Sequence, residues 1–346
     1  MCIRDSRVLL IEWLRRDDPG AVETAVRELL ELQPVDPWAH RELAIALIEQ
    51  NKWDEAAAEA ELALQLDPSS PVAPLLRGRV LQAAGRAGEA RECFRQAIRI
   101  SIDYDPAISA LMGMCDTKAD RLAELRFLAQ ELARQVIFGD GLLAFREYAS
   151  ATLEPEALLK TLREALEVRP DLWHAHAALV RQLVELRCAG EALELARAAV
   201  ERFPLLPRMW VELAGACRAA KDAEGEVQAL QKALEIAPHW GEAVRQLAEA
   251  YQRQGEGEQA VAVLQQAVAR EPRDARNHGY LAAALWELGR RREAVERLVQ
   301  AVRIEPGYDW AWGTLREWSA ELDEPELAVE MARQLTRLRP NQARSW

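Results

Sequence analysis

Hydrophobic positions recur along this chain in pairs of helical patterns. Between Pro272 and Pro306, apolar residues follow the three- and four-residue spacing of two amphipathic helices, with a glycine turn between them. The two prolines are 34 residues apart, and this spacing continues along most of the sequence. The prolines on this lattice are Pro34, Pro68, Pro170, Pro204, Pro238, Pro272, Pro306 and Pro340. The pattern predicts an all-α chain built from repeated helix–turn–helix units.

Small and large apolar residues keep fixed places inside each unit. Leucine stands nine residues after the proline, as at Leu213 and Leu247, and a small residue usually follows it. Alanine stands 22 and 29 residues after the proline, as at Ala260 and Ala267. Helices that cross closely need short side chains at the crossing and larger ones beside it. We therefore expect these alanines and leucines to be buried where helices cross.

The same positions carry a resemblance to a known family. Bulky and small residues alternate in the first helix, and alanines precede the proline after the second, as in Val244, Leu247, Ala248, Tyr251, Ala260, Leu264, Ala267 and Pro272. This pattern resembles the tetratricopeptide repeat, a 34-residue helix–turn–helix unit. The resemblance covers nearly the whole chain. It implies a right-handed α-solenoid superhelix of about ten such repeats, with first helices lining a concave groove.

Turn and cap residues predict where the helices end. Residues that tolerate left-handed backbone stand between the two helices of a unit, at Asn51, Gly85, Gly255, Gly289 and Asp323. Aspartates precede several first helices as candidate N-caps, at Asp36, Asp105 and Asp171. Each lattice proline is expected to end a second helix, because it cannot continue the hydrogen-bond ladder.

One stretch departs from the pattern. Two lattice positions, Ile102 and Val136, lack proline, and Glu124 and Glu131 stand where small residues are expected. Three of the five phenylalanines fall nearby, at Phe127, Phe138 and Phe145. The stretch holds either two drifted repeats with altered packing, which we favour, or a kink or ligand site. We accordingly divide one continuous solenoid into N-terminal repeats at 1–102, divergent repeats at 103–153 and C-terminal repeats at 154–346.

Both ends of the sequence raise further expectations. The opening MCIRDS fits poorly with the repeat pattern of the residues after it. Trp346 falls where a further first helix would begin, and no polar capping helix comes after it. We expect either a product cut from a longer protein or a frayed natural tail. An uncapped last repeat also predicts possible self-association through its apolar face.

Charge and motif content narrow the classes of function. With 44 basic and 56 acidic residues the net charge is −12, which disfavours nucleic acid as a partner. No apolar run approaches the ~20 residues that span a bilayer. No nucleotide-binding or catalytic motif is present, and His174 and His176 lack a third metal ligand. We therefore expect no enzymatic activity, no metal and no cofactor.

The five cysteines form no C-x-x-C pair. We interpret them as small apolar fillers of helix interfaces. Because no disulfide framework is indicated, a reducing compartment and hence a cytoplasmic location is expected.

The family resemblance implies which residues face the groove: those two, five, nine and twelve into each first helix. These positions hold arginines, two polar neighbours and two tryptophans, at Arg181, Arg208, Arg218, Arg245, Glu249, Gln252, Arg276, Trp286 and Trp310. Guanidinium pairs bidentately with carboxylate, so the arginines predict an acidic or C-terminal-carboxylate peptide as ligand. The alternative is a solvated face whose arginines pair with Glu242 and Glu249. The tryptophans are either packing residues between repeats or an aromatic anchor.

These observations favour a non-catalytic protein–protein interaction scaffold that binds a peptide or partner helix in its groove. The alternative is the repeat segment of a larger multidomain enzyme whose catalytic domain lies outside this chain. Residues 307–318 are similar to arrays of bacterial multidomain proteins, including some joined to a papain-like peptidase domain. RNA recognition by helical repeats is disfavoured by the acidic charge.

Overall fold

The structure is a computed structural model, and it describes residues 18–135 and 139–338. The first seventeen residues, with the first half of the first unit, and Trp346 lie outside the described residues. The regular elements in the described ranges are nineteen α-helices: α1 Pro19–Leu32, α2 Pro37–Glu49, α3 Trp53–Leu66, α4 Val72–Ala83, α5 Ala87–Ile100, α6 Asp105–Gly113, α7 Lys118–Arg134, α8 Asp140–Ser150, α9 Pro155–Val168, α10 Trp173–Glu185, α11 Ala189–Arg202, α12 Pro207–Ala219, α13 Ala223–Ile236, α14 Gly241–Arg253, α15 Gly257–Arg270, α16 Ala275–Glu287, α17 Arg291–Ile304, α18 Asp309–Glu321 and α19 Glu326–Leu338.

The helices pack in sequence order as repeated pairs. Helix α1 is the second helix of the first unit, and nine pairs follow it in the described residues, from α2–α3 to α18–α19. Neighbouring helices contact each other from α1 to α9 and from α11 to α19. First helices also contact the first helix of the next unit, as in α2–α4 and α14–α16. The predicted all-α stacking of about ten 34-residue units is confirmed.

The chain divides into two compact lobes after Gln182, which lies within α10. We call them the N-terminal lobe, Met1–Gln182, and the C-terminal lobe, Leu183–Trp346. The division into three regions drawn from the sequence, at 102 and 153, stays a prediction.

A left-handed residue follows the first helix of seven units. These residues have φ between 58° and 78° and lie on one lattice of 34: Asn51, Gly85, Arg187, Lys221, Gly255, Gly289 and Asp323. In each case the next N–H reaches back five residues; that of Glu256, for example, donates to the carbonyl of Tyr251 at 2.9 Å. This is the long bond of the Schellman motif, which satisfies a helix-end carbonyl. The sequence pattern found five of the seven and missed Arg187 and Lys221.

Proline and aspartate act at the helix ends largely as predicted. Pro272 stands two residues after the end of α15, and the other described lattice prolines occupy the same place. Asp36 caps α2 by accepting from the N–H of Trp38 at 3.0 Å. Asp105, by contrast, is the first residue of α6 rather than its cap. Asp171 lies two residues before α10 and its carboxylate accepts from Arg169 at 2.9 Å.

The expected small and leucine positions are buried. Leu247, Ala260 and Ala267 are all in the core, while Ala328 of the last unit is only half-buried. A Cβ at Gly78 would lie 2.4 Å from the ring of Phe94, so α4 and α5 cross too closely for any side chain there. Burying such apolar positions contributes about 25 cal/mol per Å² and holds each unit to its neighbours.

Residues 103–153 keep the helix pairs but change their lengths and contacts. Helix α6 has nine residues and α7 has 17, whereas α14 and α15 have 13 and 14. Glu124 occupies an alanine position of the repeat, is 1% exposed, and accepts two bonds from Arg95 at 2.9 and 2.8 Å. Glu131 is likewise bonded by Arg134 at 2.6 Å. Paired buried carboxylates favour drifted repeats with altered packing over a ligand site.

The phenylalanines of this stretch have separate roles. Phe127 lies beneath the guanidinium groups of Arg95 and Arg99, each 5.5 Å from its ring centroid. Phe145 is buried in the core. Phe138 lies outside the described residues.

Candidate functional site

The nine candidate groove residues lie on first helices of both lobes. Arg181 is on α10 in the N-terminal lobe and is half-buried. The other eight are in the C-terminal lobe: Arg208 and Arg218 on α12, Arg245, Glu249 and Gln252 on α14, Arg276 and Trp286 on α16, and Trp310 on α18. We call the exposed side of α12, α14, α16 and α18 the first-helix face.

Arginines of the first-helix face contact aromatic rings of the following unit. The guanidinium carbon of Arg208 lies 5.8 Å from the ring centroid of Trp240, and that of Arg245 lies 5.5 Å from the centroid of Tyr280. Such cation–π contacts are worth about 0.5–1 kcal/mol at exposed sites. The contact with Tyr280 positions the guanidinium of Arg245 without using a carboxylate, so that group can still pair with an anion.

Three arginines of this face do not pair with Glu242 and Glu249 as the alternative interpretation required. Across 18–135 and 139–338, no carboxylate lies within hydrogen-bond or ion-pair distance of the guanidinium groups of Arg218, Arg245 or Arg276. The carboxylate of Glu242 instead accepts from a glutamine one turn further along α14, at 3.3 Å. Three positive charges on consecutive first helices are therefore available to a partner.

Arg41 shows how an arginine at the repeat position of Arg245 can pair with a carboxylate. Arg41 and Arg245 both stand seven residues after a lattice proline. Arg41 donates to Asp67 and to Ser70 of the next unit, each at 3.1 Å. The equivalent positions after Pro238 hold Glu271 and Asp274, but neither carboxylate lies within ion-pair distance of Arg245, which lies over the ring of Tyr280 instead.

The two polar candidates on α14 serve the scaffold itself. Gln252 donates to Glu287 at 2.8 Å and so joins α14 to α16. Glu249 is half-buried near Glu226. Burial raises the pKa of Glu226, and Glu249 adds to the rise, whereas Arg253 and Arg218 oppose it. Gln252 in particular is already engaged within the scaffold.

An aromatic cleft lies between the last two first helices of the described chain. Tyr280, Ala283, Tyr308 and Trp310 line a cavity of about 270 Å³, which we call the aromatic cleft. The ring centroids of Tyr308 and Trp310 are 5.6 Å apart, and Trp310 is 46% exposed. Of these lining residues, the sequence pattern identified only Trp310.

A glycine makes room for the aromatic cleft. A Cβ at Gly279 would lie 2.9 Å from the hydroxyl of Tyr308 and 3.0 Å from the ring of Trp310. Gly279 is the repeat equivalent of Arg245, seven residues after its proline. The missing side chain therefore lets both rings approach the surface of α16.

Two cations face the aromatic cleft. Burial raises the pKa of the Tyr308 phenol, Tyr280 and Glu305 add to the rise, and Arg276 and Arg245 act in the opposite direction. The phenol therefore keeps its proton at neutral pH and can donate a hydrogen bond. The guanidinium carbon of Arg245 lies 5.5 Å from the ring centroid of Tyr280, which lines the cleft.

A larger open cavity of about 630 Å³ lies against α11 and α13, but its charges are already balanced. Arg197 is 3.7 Å from Asp222, and Lys232 donates to Glu235 at 2.6 Å. An incoming anion would have to displace these carboxylates. The first-helix face differs from this cavity in presenting three arginines that have no carboxylate partner among the described residues.

Comparison with known families now identifies the repeat. One model described as tetratricopeptide repeat matches residues 47–115 and 218–285, and a second with the same description matches 14–71 and 177–239. Together the matches cover more than half of the chain. The chain belongs to the tetratricopeptide repeat family. That membership gives it the general role of a protein-interaction scaffold.

Comparisons with individual proteins add little to this assignment. No curated protein matches the tetratricopeptide repeat chain. A solved structure described as the crystal structure of MamA is similar to part of it, at 18% sequence identity and a TM-score of 0.39. The match covers 46% of this chain and 94% of that one.

The tryptophans of the tetratricopeptide repeat chain divide into packed and exposed members. Trp286 stacks on Trp318 of the next unit, with ring centroids 4.2 Å apart and planes within 6°. Trp312 donates from its indole N–H to the carbonyl of Pro306 at 3.0 Å. Trp310 has the most exposed ring of the three and borders the aromatic cleft. This difference favours Trp310 over Trp286 as an anchor for a partner.

Three of the four described cysteines of the tetratricopeptide repeat chain are buried, as expected of apolar fillers: Cys93, Cys115 and Cys217. Burial raises the pKa of the Cys217 thiol to about 11. Cys188 is exposed beside the turn after α10, so the filler interpretation is wrong for it.

Residues 18–135 and 139–338 contain no group of three His, Cys, Asp or Glu side chains arranged to hold a metal ion. No helix in these ranges combines the length and apolarity required to cross a membrane.

Proposed function

We propose that this tetratricopeptide repeat chain is a non-catalytic scaffold that binds an acidic protein segment on its first-helix face. The observation that carries the proposal is the set of guanidinium groups of Arg218, Arg245 and Arg276. They stand on three consecutive first helices and have no carboxylate partner in the part of the chain that the structure describes. Guanidinium binds carboxylate through paired, charge-assisted hydrogen bonds, which are the strong class of hydrogen bond.

The overall charge of −12 supports this proposal. In an acidic protein, an arginine whose only use is solubility would readily find an acidic neighbour, as Arg41 does with Asp67. Arg208 extends the same face through its contact with Trp240. We propose that the partner is an extended peptide or a helix laid across α12, α14 and α16, because contacts from several units then add together.

The proposal includes a cytoplasmic location. Its support is that Cys93, Cys115, Cys188 and Cys217 are free thiols, as expected in a reducing compartment. Self-association is a second proposal for the last pair, where Val329 of α19 is 43% exposed. Light scattering at increasing protein concentration would detect it.

The test is the binding of a defined acidic peptide to charge-reversed protein. We expect the double substitution Arg245→Glu and Arg276→Glu to weaken calorimetric binding of a glutamate-rich peptide by at least about tenfold, because each lost charge-assisted bond is worth roughly 1.5–3 kcal/mol. Arg292→Glu is the matched control. Arg292 is exposed on α17, a second helix outside the first-helix face, and its reversal changes net charge without touching the arginine set.

A larger loss of peptide affinity in the double variant than in the control supports the proposal. Equal loss of affinity in the double variant and in the control, scaled by charge, would show that only the overall field of the protein is felt. Undiminished binding in the double variant would remove the first-helix face as the site. Thermal unfolding of each variant checks that the fold is retained.

A further inference from the structure

We propose that the aromatic cleft binds one aromatic or large aliphatic side chain of the acidic segment, directly beside carboxylates that Arg245 and Arg276 bind. The partner segment would thus carry an apolar residue flanked by aspartates or glutamates. This inference rests on the proposed function and specifies the chemistry of its ligand.

The size of the aromatic cleft fits a single side chain. Its volume of about 270 Å³ is below the range of about 300–1,000 Å³ that is usual for pockets holding whole small molecules. Its lining is three aromatic rings and the methyl group of Ala283, so apolar surface dominates. A cleft of this size and lining suits the side chain of phenylalanine, tryptophan, leucine or methionine.

The exposure of Trp310 points to a partner. A tryptophan ring that is 46% exposed leaves a large apolar area in water, although aromatic residues strongly favour burial. Tryptophan and tyrosine are also the residues that most often dominate the energy of protein–protein binding. Gly279 lets these rings lie against α16, since a Cβ there would approach the hydroxyl of Tyr308 to 2.9 Å.

Two positive charges stand beside this apolar cleft. Arg245 contacts the ring of Tyr280, which also lines the cleft, at 5.5 Å from its centroid. Arg276 and Arg245 both influence the ionisation of Tyr308. Neither guanidinium has a carboxylate within ion-pair distance among the described residues. Charge complementarity therefore favours anionic groups next to the inserted apolar side chain.

Side-chain carboxylates fit this arrangement better than a free chain terminus. Proteins that capture a terminal carboxylate commonly use a nest of backbone N–H groups. Here the lining consists of side chains on the faces of α16 and at the start of α18, with arginines as the donors. We therefore commit to an internal acidic segment.

A series of fluorescein-labelled peptides, blocked at both ends except where stated, tests the inference by fluorescence anisotropy. The first peptide has one phenylalanine flanked by two glutamates on each side. The second has glycine in place of phenylalanine and the same charge. The third ends on phenylalanine with a free carboxylate and has no glutamates. The protein is the full chain, as the wild type and as the variants Trp310→Ala and Arg245→Glu.

For the wild type we expect the phenylalanine peptide to bind at least about tenfold more tightly than the glycine peptide, because one apolar side chain is buried. Trp310→Ala should remove this difference and leave the glycine peptide unaffected. Arg245→Glu should weaken both acidic peptides. Because Trp310 is half exposed, its removal is compatible with folding, which thermal unfolding verifies.

The possible failures are distinguishable. If both acidic peptides bind equally, and Trp310→Ala changes neither, the cleft inference is overturned while the proposed function stands. If no acidic peptide binds the wild type, both are overturned. Tighter binding of the third peptide than of the first would replace the internal segment by a chain terminus and overturn the inference as stated.

Discussion

A ring N–H recurs at one position of the repeat and bonds to the lattice proline. Six residues after the proline, a histidine or tryptophan side chain lies 2.9–3.1 Å from the proline's carbonyl oxygen, at His40, His176, Trp210, His278 and Trp312. The proline follows a helix end, where carbonyls lack helical partners. The ring therefore ties the end of one unit to the first helix of the next. The sequence shows the spacing, but only the structure shows the bond.

His278 makes this bond pH-sensitive. Burial lowers the pKa of His278 below its ordinary value of 6.5, although the bond to Pro272 works against the shift. The unfolded chain thus binds this proton more readily than the folded one, so stability is full above about pH 6.5 and falls as the pH decreases. His278→Trp supplies the same ring N–H without titrating, as Trp210 and Trp312 do.

We expect urea unfolding of the wild type to lose stability between pH 7 and pH 5 faster than that of His278→Trp, by at most about 1.4 kcal/mol per pH unit. Trp312→Phe is a suitable control because it removes a ring N–H at the same repeat position without changing any titrating group. It should leave the slope of stability against pH unchanged. Parallel slopes for the wild type and His278→Trp would rule out this role of His278.

At the scale of the elements, the turn after each first helix was predictable only in part. Gly85, Gly255 and Gly289 were found because glycine adopts positive φ freely. Arg187 and Lys221 were missed because their side chains carry no such signal. Their conformation is imposed by the Schellman bond and by the packing of the two helices that the turn joins.

Glycine in place of Lys221, whose backbone is left-handed, should stabilise the turn after α12. Lys221→Gly removes the cost of left-handed backbone and is expected to raise the free energy of unfolding by about 0.5–1 kcal/mol. Gly255→Ala, at the equivalent position, should lower it by about 1 kcal/mol. Ala220→Gly is the control, since Ala220 has φ of −80° and gains nothing from glycine. Urea titration measures all three; a stabilising Ala220→Gly would contradict the argument.

The divergent stretch also shows why a repeat can drift without unfolding. Glu124 replaces an alanine, yet the pair with Arg95 compensates its burial. The sequence exposed the anomaly at Glu124 but could not show its partner, because Arg95 is 29 residues away on another helix.

Replacing Arg95 and replacing Glu124 should lower the stability of the fold by different amounts. Arg95→Ala leaves the buried Glu124 carboxylate with only Arg91, 3.9 Å away, and should cost about 2–3 kcal/mol, below the ~3–5 typical of fully buried pairs because Arg95 is about a third exposed and Arg91 remains. Glu124→Ala restores the repeat's usual residue and should cost under about 1 kcal/mol, since Arg95 can reach water. The double variant should resemble Glu124→Ala. Chemical denaturation provides the values, and a larger loss for Glu124→Ala would contradict this account.

At the scale of the whole molecule, the sequence was informative about architecture and weak about the site. The 34-residue lattice predicted the helix pairs because each unit repeats the same local packing rules. The lattice also placed Arg245, Arg276 and Trp310 on first helices, as the structure has them. It missed Tyr280 and Tyr308, since the aromatic cleft depends on how side chains of two successive units meet around a glycine of α16.

The central claim is that an acidic segment binds on the first-helix face. Hydrogen–deuterium exchange of the full chain, with and without the glutamate–phenylalanine peptide, tests this location directly. The account predicts slower exchange in α12, α14, α16 and α18, at 207–219, 241–253, 275–287 and 309–321, and unchanged exchange in α13. Protection concentrated at 223–236, beside the larger cavity of Arg197, would contradict it.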